Sequence, residues 1–82
     1  MDYVKILTDI TSGLVENSNQ LEVRMMPSLD ENEVILHVYA SKDDLSKLIG
    51  LKGAVANSIR KIMSVAGHLT EKKIEVKFES YD

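Results

Sequence analysis

Apolar residues recur along the chain with two distinct periods, and the switches between them mark out its elements. Tyr3, Leu7, Ile10 and Leu14 fall at i, i+4, i+7 and i+11 with Ile6 beside them, which predicts an amphipathic helix over residues 3–16. Gly13 weakens its last turn by about 1 kcal/mol relative to alanine, and Asn17-Ser18-Asn19 ends it. Leu21, Val23 and Met25 then alternate with Glu22 and Arg24, the pattern of a half-buried strand, which Pro27 stops. The polar segment Ser28–Glu33 reads as a loop. Val34–Ala40 is more continuously apolar and predicts a better-buried strand, pairing with the first as an antiparallel hairpin.

Ser41 stands where an N-cap is needed, with Asp43 and Asp44 favouring the positive helix start. Ser41-x-x-Asp44 resembles a capping box with Asp in place of Glu. A short helix over 42–49 follows, with Leu45, Leu48 and Ile49 on one face. Val55, Ile59, Ile62, Met63 and Ala66 define the inner face of another helix over 54–66, with Gly67 as its C-terminal glycine. After a loop at 68–71, residues 72–79 alternate again: Ile74, Val76 and Phe78 inward, Lys73, Glu75, Lys77 and Glu79 outward. The order is α-β-β-α-α-β, an α+β fold. Two helices between the second and third strands form a crossover, so those strands can run parallel in a three-stranded mixed sheet. Each strand has one apolar face, which places the helices on one side, around a core that includes Leu48, Ile59 and Ile74. One domain spans 1–82.

The two central helices meet at Gly50-Leu51-Lys52-Gly53. Gly50 can take the left-handed backbone that closes a helix. Gly53, lacking Cβ, lets a bulky partner approach the backbone. The joint opens onto a helix start, where unsatisfied N–H groups and the dipole favour an anion, and Lys52 adds a mobile cation. Such a joint can set down a phosphate, although most glycine joints between helices only turn the chain. The charge distribution sharpens the point. Residues 45–70 carry Lys47, Lys52, Arg60 and Lys61 with no Asp or Glu, a local +4, which leaves −7 on the remainder of a chain whose total is −3. That asymmetry fits a local phosphate site in an acidic protein rather than broad capture of nucleic acid.

Composition narrows the rest. Without cysteine there is no disulfide and no thiolate zinc site. No apolar run approaches membrane-spanning length and no secretory signal opens the chain, so the cytoplasm is the expected location. His37 and His68 have no partner at metal-ligand spacing. Gly-Leu-Lys-Gly lacks the spacing and the Ser/Thr of a nucleotide P-loop. Neither an enzyme nor a cofactor nor a metal site is expected. The three tyrosines and one phenylalanine are dispersed, so no stacking platform is read from them.

The stretch Leu48-Ile-Gly-Leu-Lys-Gly-Ala-Val-Ala-Asn-Ser-Ile-Arg60 resembles the signature of a KH domain, I-G-x-x-G followed by a helix. The element order resembles the bacterial, type II arrangement. Nearly the whole chain is similar to the KhpA family of small bacterial single-KH RNA-binding proteins. The resemblance implies single-stranded RNA held at the glycine loop, and a role as an RNA chaperone or post-transcriptional regulator tied to growth, shape or division. It implies roles for particular residues. Gly50 and Gly53 let the backbone of about four nucleotides pass close, Leu51 and Lys52 present N–H groups and charge, and Ile49 floors the groove. Lys47, Asn57 and Arg60 join them as RNA-facing side chains, with a solvated helix face as the plain alternative for the last two. It further implies a homodimer, or a heterodimer with a larger KH-containing partner. Two positions depart from the family pattern: Leu51 and Ala54 stand where basic residues are usual. Fewer cations imply weaker phosphate binding. Competing readings are a protein-interaction module on a KH-like scaffold and a DNA-binding helix-turn-helix, although the latter usually places a hairpin after its second helix.

Overall fold

A computed structural model describes residues 1–81 of the chain. Strand β2, Glu33–Ala40, lies at the centre of the sheet. Strand β1, Glu22–Met26, pairs with it antiparallel, Val23 opposite Val38 and Met25 opposite Leu36. Strand β3, Lys73–Ser80, pairs parallel on its other side, from Glu33 opposite Lys73 to Ala40 opposite Ser80. β2 alternates strictly, with Val34, Leu36, Val38 and Ala40 buried. Because side chains alternate across a strand, Ile35, His37 and Tyr39 point to the opposite face.

Helices α1 (Tyr3–Ser12), α2 (Lys42–Ile49) and α3 (Ala54–Leu69) cover the first of these faces. Tyr3 and Leu7 from α1, Leu48 from α2, and Ile59 and Met63 from α3 join the four β2 residues and Val76 in one core. Asp2 caps α1 by accepting from the Lys5 N–H, and the Ser41 hydroxyl caps α2 by accepting from Asp44 N–H at 3.3 Å. No helix among the described residues is long and apolar enough to cross a membrane.

Several local expectations are corrected. The first helix stops at Ser12, four residues short of the predicted end at residue 16, with Gly13 as its C-cap; Leu14 is left half-exposed. Met25 occupies the covered face by register, yet is 53% exposed, because β1 is an edge strand and Met25 is not part of the helix-packed core. On α3, Ile62 is 50% exposed while Ala56 is buried. The inner face follows Ala56, Ile59, Met63 and Ala66, and Ile62 sits about 100° round from Met63.

Gly67 does not end α3, which continues to Leu69. It is glycine for space: a Cβ there would lie 2.5 Å from the Lys72 carbonyl oxygen and 3.1 Å from Ile74 Cγ1. The chain reverses afterwards through Glu71, a non-glycine residue at φ 57°. Asp44 also does more than favour a helix start. Its buried carboxylate accepts from the Glu16 N–H at 3.0 Å and the Asn17 N–H at 2.9 Å, clamping the segment after α1 to α2. These two backbone donors hold its carboxyl below the ordinary carboxylate range against the opposing effect of burial, with Ser41 and Lys47 adding to them.

Gly67→Ala provides a test of packing against propensity. Alanine improves helix propensity by about 1 kcal/mol, but the contact with backbone oxygen should reverse the sign, giving a net loss of about 1–2 kcal/mol in urea unfolding, as for overpacked sites. A stabilised variant would show that the Lys72 turn yields freely.

Candidate nucleic-acid interface

The joint between α2 and α3 is built by two glycines with different duties. Gly50 closes α2 by donating its N–H to Ser46 O at 2.9 Å, and then turns to φ 75°, ψ 176°. A Cβ there would meet Val55 Cγ2 at 2.5 Å, so the position demands glycine for both backbone and space. Leu51–Gly53 forms one tight 3-10 turn, closed by Gly53 N–H donating to Gly50 O. Lys52 at φ 55° and Gly53 at φ 77° are successive left-handed residues that aim the chain into α3. A Cβ on Gly53 would have nothing within 4 Å, so in the free protein this glycine serves conformation and leaves open surface.

Gly53 is also the N-cap of α3 and supplies no side-chain oxygen to the first turn. Leading N–H groups of a sixteen-residue helix are therefore left without a side-chain partner at the mouth of the joint. Leu51, 85% exposed, and Lys52, also exposed, stand at the tip; Lys52 forms no ion pair with any described residue. Ile49 is half-buried beside the buried Leu48.

Gly50, Leu51, Lys52, Gly53 and Ile49 are thus contiguous, and the other three positions divide. Asn57 and Arg60 lie one turn apart on α3. Arg60 is no freely solvated cation: its Nε donates to Val76 O at 3.1 Å, its Nη1 reaches Asn57 Oδ1 at 3.5 Å, and its guanidinium lies 5.3 Å from the Phe78 ring centre. It ties α3 to the outer strand β3. Lys47 turns to the α1 side, its Nζ 2.8 Å from Glu16 Oε1 and 3.8 Å from Asp44 Oδ1. The bond to Glu16, more than any other contact, raises its pKa above that of a free lysine.

Sequence reasoning missed one constellation. On the sheet face opposite the helices, His37 stacks on Tyr39 with ring centres 4.7 Å apart, and Tyr39 on Tyr81 at 5.7 Å. Arg24 lies over Tyr39 and pairs with Glu22, while His37 Nε2 is 3.0 Å from Glu79 Oε2. The expectation of dispersed aromatics is corrected here. The available signal was His37-x-Tyr39, which period-two geometry puts on one face. No group of three or more potential metal ligands gathers among the described residues.

A crossover of two helices joined at a GxxG turn, linking parallel strands behind an N-terminal helix and hairpin, defines a type II KH domain. The chain belongs to the KhpA/KhpB KH-domain family, whose profile matches residues 4–78. It is 31% identical over 67 residues to the RNA-binding protein KhpA of Clostridium perfringens, covering 82% of this chain and 87% of that protein. It is 22% identical over 73 residues to the RNA-binding protein KhpA of Borreliella burgdorferi, covering 89% of this chain and 87% of the relative.

The two glycines should separate in mutants. Gly53→Ala should lose about 1–2 kcal/mol, the cost of left-handed backbone with a Cβ. Gly50→Ala should lose that plus about 1–3 kcal/mol of overpacking against Val55. Denaturant midpoints measure both, and equal losses would show that Val55 moves aside without strain.

Proposed function

We propose that this chain binds single-stranded RNA by seating its phosphate backbone on the Gly50–Gly53 joint, and that it acts as an RNA chaperone or post-transcriptional regulator in the bacterial cytoplasm. The observation that carries this is the open joint itself: a left-handed glycine with free space beside it, at the uncapped start of a long helix. The names of the relatives support RNA as the ligand. In this reading Gly50 and Gly53 let about four nucleotides run close to the backbone, Leu51 and Lys52 offer N–H groups, and Lys52 contributes charge. Ile49 and Asn57 flank the path. Arg60 borders it from α3, its side chain held against β3, and Lys47 contributes little while Glu16 holds it. The scarcity of cations at the tip favours binding through shape and backbone donors.

The double variant Leu51→Asp, Lys52→Asp tests this. Both side chains are exposed, and aspartate tolerates the left-handed backbone of position 52 better than most residues. Circular dichroism and melting should match the parent chain, while affinity for a single-stranded oligonucleotide falls by at least about tenfold, one lost charge-assisted phosphate contact. Titrating duplex DNA alongside, at two salt concentrations, separates this from a helix-turn-helix. Native RNA affinity in a folded double variant would leave the protein-interaction reading in its place.

The same chain is proposed to pair with a second copy or with a larger KH-containing partner. The support is apolar surface: Ile62, Val65 and Leu69 recur at i, i+3 and i+7 on the outside of α3, each at least half exposed. Beside them an open apolar cleft runs between α1 and α3, lined by Ile10, Leu14, Ala54, Val55, Ser58, Ile59 and Ile62. Ile62→Asp should shift sedimentation to the monomer while changing stability by less than about 0.5 kcal/mol, as at other surface sites. An unchanged sedimentation coefficient would remove this face from the interface.

A further inference from the structure

At the other end of α2 from the glycine joint lies a cleft of about 380 Å³ lined by Asn19, Gln20, Ser41 and Tyr81. Among the described residues its lining holds no charged side chain and no aliphatic one. Asn19 and Gln20 are exposed, and their amide groups hydrogen-bond to no described residue. Ser41 Oγ accepts from Asp44 N–H, which leaves its hydroxyl hydrogen to donate elsewhere. Tyr81 is 54% exposed, and its place is fixed from behind. The Tyr81 N–H donates to Ala40 O at 3.3 Å, and its ring stacks on Tyr39, which in turn stacks on His37 and lies under Arg24. The ring is therefore presented by a column of side chains rather than hung loosely on the surface.

A ligand suited to this cleft is planar, uncharged where it touches the protein, and rich in hydrogen-bond donors and acceptors along its edge. Among the described residues, an ionic partner would find no opposite charge there and an aliphatic one no aliphatic side chain to pack on. We infer that the cleft takes one nucleobase, stacked on Tyr81 and read along its edge by Asn19 and Gln20. The inference rests on the RNA-binding reading above and extends it. Primary amides match the paired donor and acceptor of adenine best, so adenine is the preferred base. The eight residues of α2 separate the cleft from the glycine joint by about 12 Å of helix. One strand longer than the joint's own four or so nucleotides can occupy both.

Fluorescence anisotropy with oligoadenylate and oligouridylate, each as a tetranucleotide and as a decanucleotide, tests the inference. Tyr81→Ala should weaken the oligoadenylate decanucleotide by about fivefold to a hundredfold, the range for losing one stacking ring, and leave tetranucleotide binding at the joint unchanged. Tyr81→Phe should restore the decanucleotide affinity, and Asn19→Ala with Gln20→Ala should erase the preference for adenine over uracil. Parental decanucleotide affinity in a folded Tyr81→Ala protein overturns the cleft while leaving the joint intact. Parental decanucleotide affinity in the Leu51→Asp, Lys52→Asp protein overturns the joint instead. If Tyr81→Ala changes self-association but not RNA affinity, the ring serves a protein contact and the inference is wrong.

Discussion

The parallel pairing of β2 and β3 is the constraint from which the rest of the architecture follows. Strands hydrogen-bonded over eight residues in the same direction cannot be joined by a tight turn. The chain must leave the end of β2, return to the other end of the sheet and re-enter as β3. The segment between Ala40 and Lys73 does so as two helices packed on the apolar face. A single straight helix of that length would overshoot a strand pair this short, so the crossover folds back on itself. The fold-back is the Gly50–Gly53 joint, which places a tight, glycine-bearing turn and a bare helix start at one place on the surface. The geometry that suits the joint to a phosphate is thus a consequence of returning the chain to the sheet.

Two distant tethers keep that geometry in place. Asp44 reaches back across the sequence to the backbone of Glu16 and Asn17, so the segment after α1 is locked to α2. Arg60 reaches forward from α3 to the Val76 carbonyl on β3, an edge strand whose outer groups lack a neighbouring strand. Both use a charged group to satisfy backbone polar atoms, which lose most when left unpaired in a shielded place. Both also take a charge out of the pool that composition assigns to solvent or ligand.

How legible each feature was in the sequence follows from whether its cause is local. Strand and helix identities, the Ser41 cap, the parallel crossover and the joint at Gly50 are written in short periods and in single residues with one dominant role. Gly67 misled because glycine after a helical run signals a C-cap, whereas here it makes room for the Lys72 carbonyl, a contact the fold alone creates. Ile62 and Met25 misled because apolar spacing marks a face without saying how far the neighbouring element extends over it. The role of Asp44 and the stacking of Tyr81 on the His37–Tyr39 pair depend on residues brought together from far apart in the chain, and no local period reports that. At the proposed RNA site, the contiguous residues 49–53 could be read directly. The destinations of the Lys47 and Arg60 side chains, set by Glu16 and Val76, could not.

Those destinations change the electrostatic argument. From the sequence, four cations on an acid-free stretch make a positive patch in an acidic protein. In the fold, Lys47 faces Glu16 and Asp44, and Arg60 faces a carbonyl and an aromatic ring, so two of the four cations are spent on internal contacts, leaving Lys52 and the exposed Lys61. Lys52 alone stands at the tip of the joint. A surface with so little free positive charge, on a chain of net charge −3, gains little from releasing counterions along a polyanion. In the proposed RNA-binding reading, affinity then comes from fixed donors at the start of α3, from close approach at Gly53, and from contacts to the bases themselves. Fixed donors discriminate by position where mobile cations discriminate only by charge. In that reading, apolar Leu51 and Ala54 at the joint and the diversion of Lys47 and Arg60 act in the same direction, away from bulk attraction and toward recognition by shape.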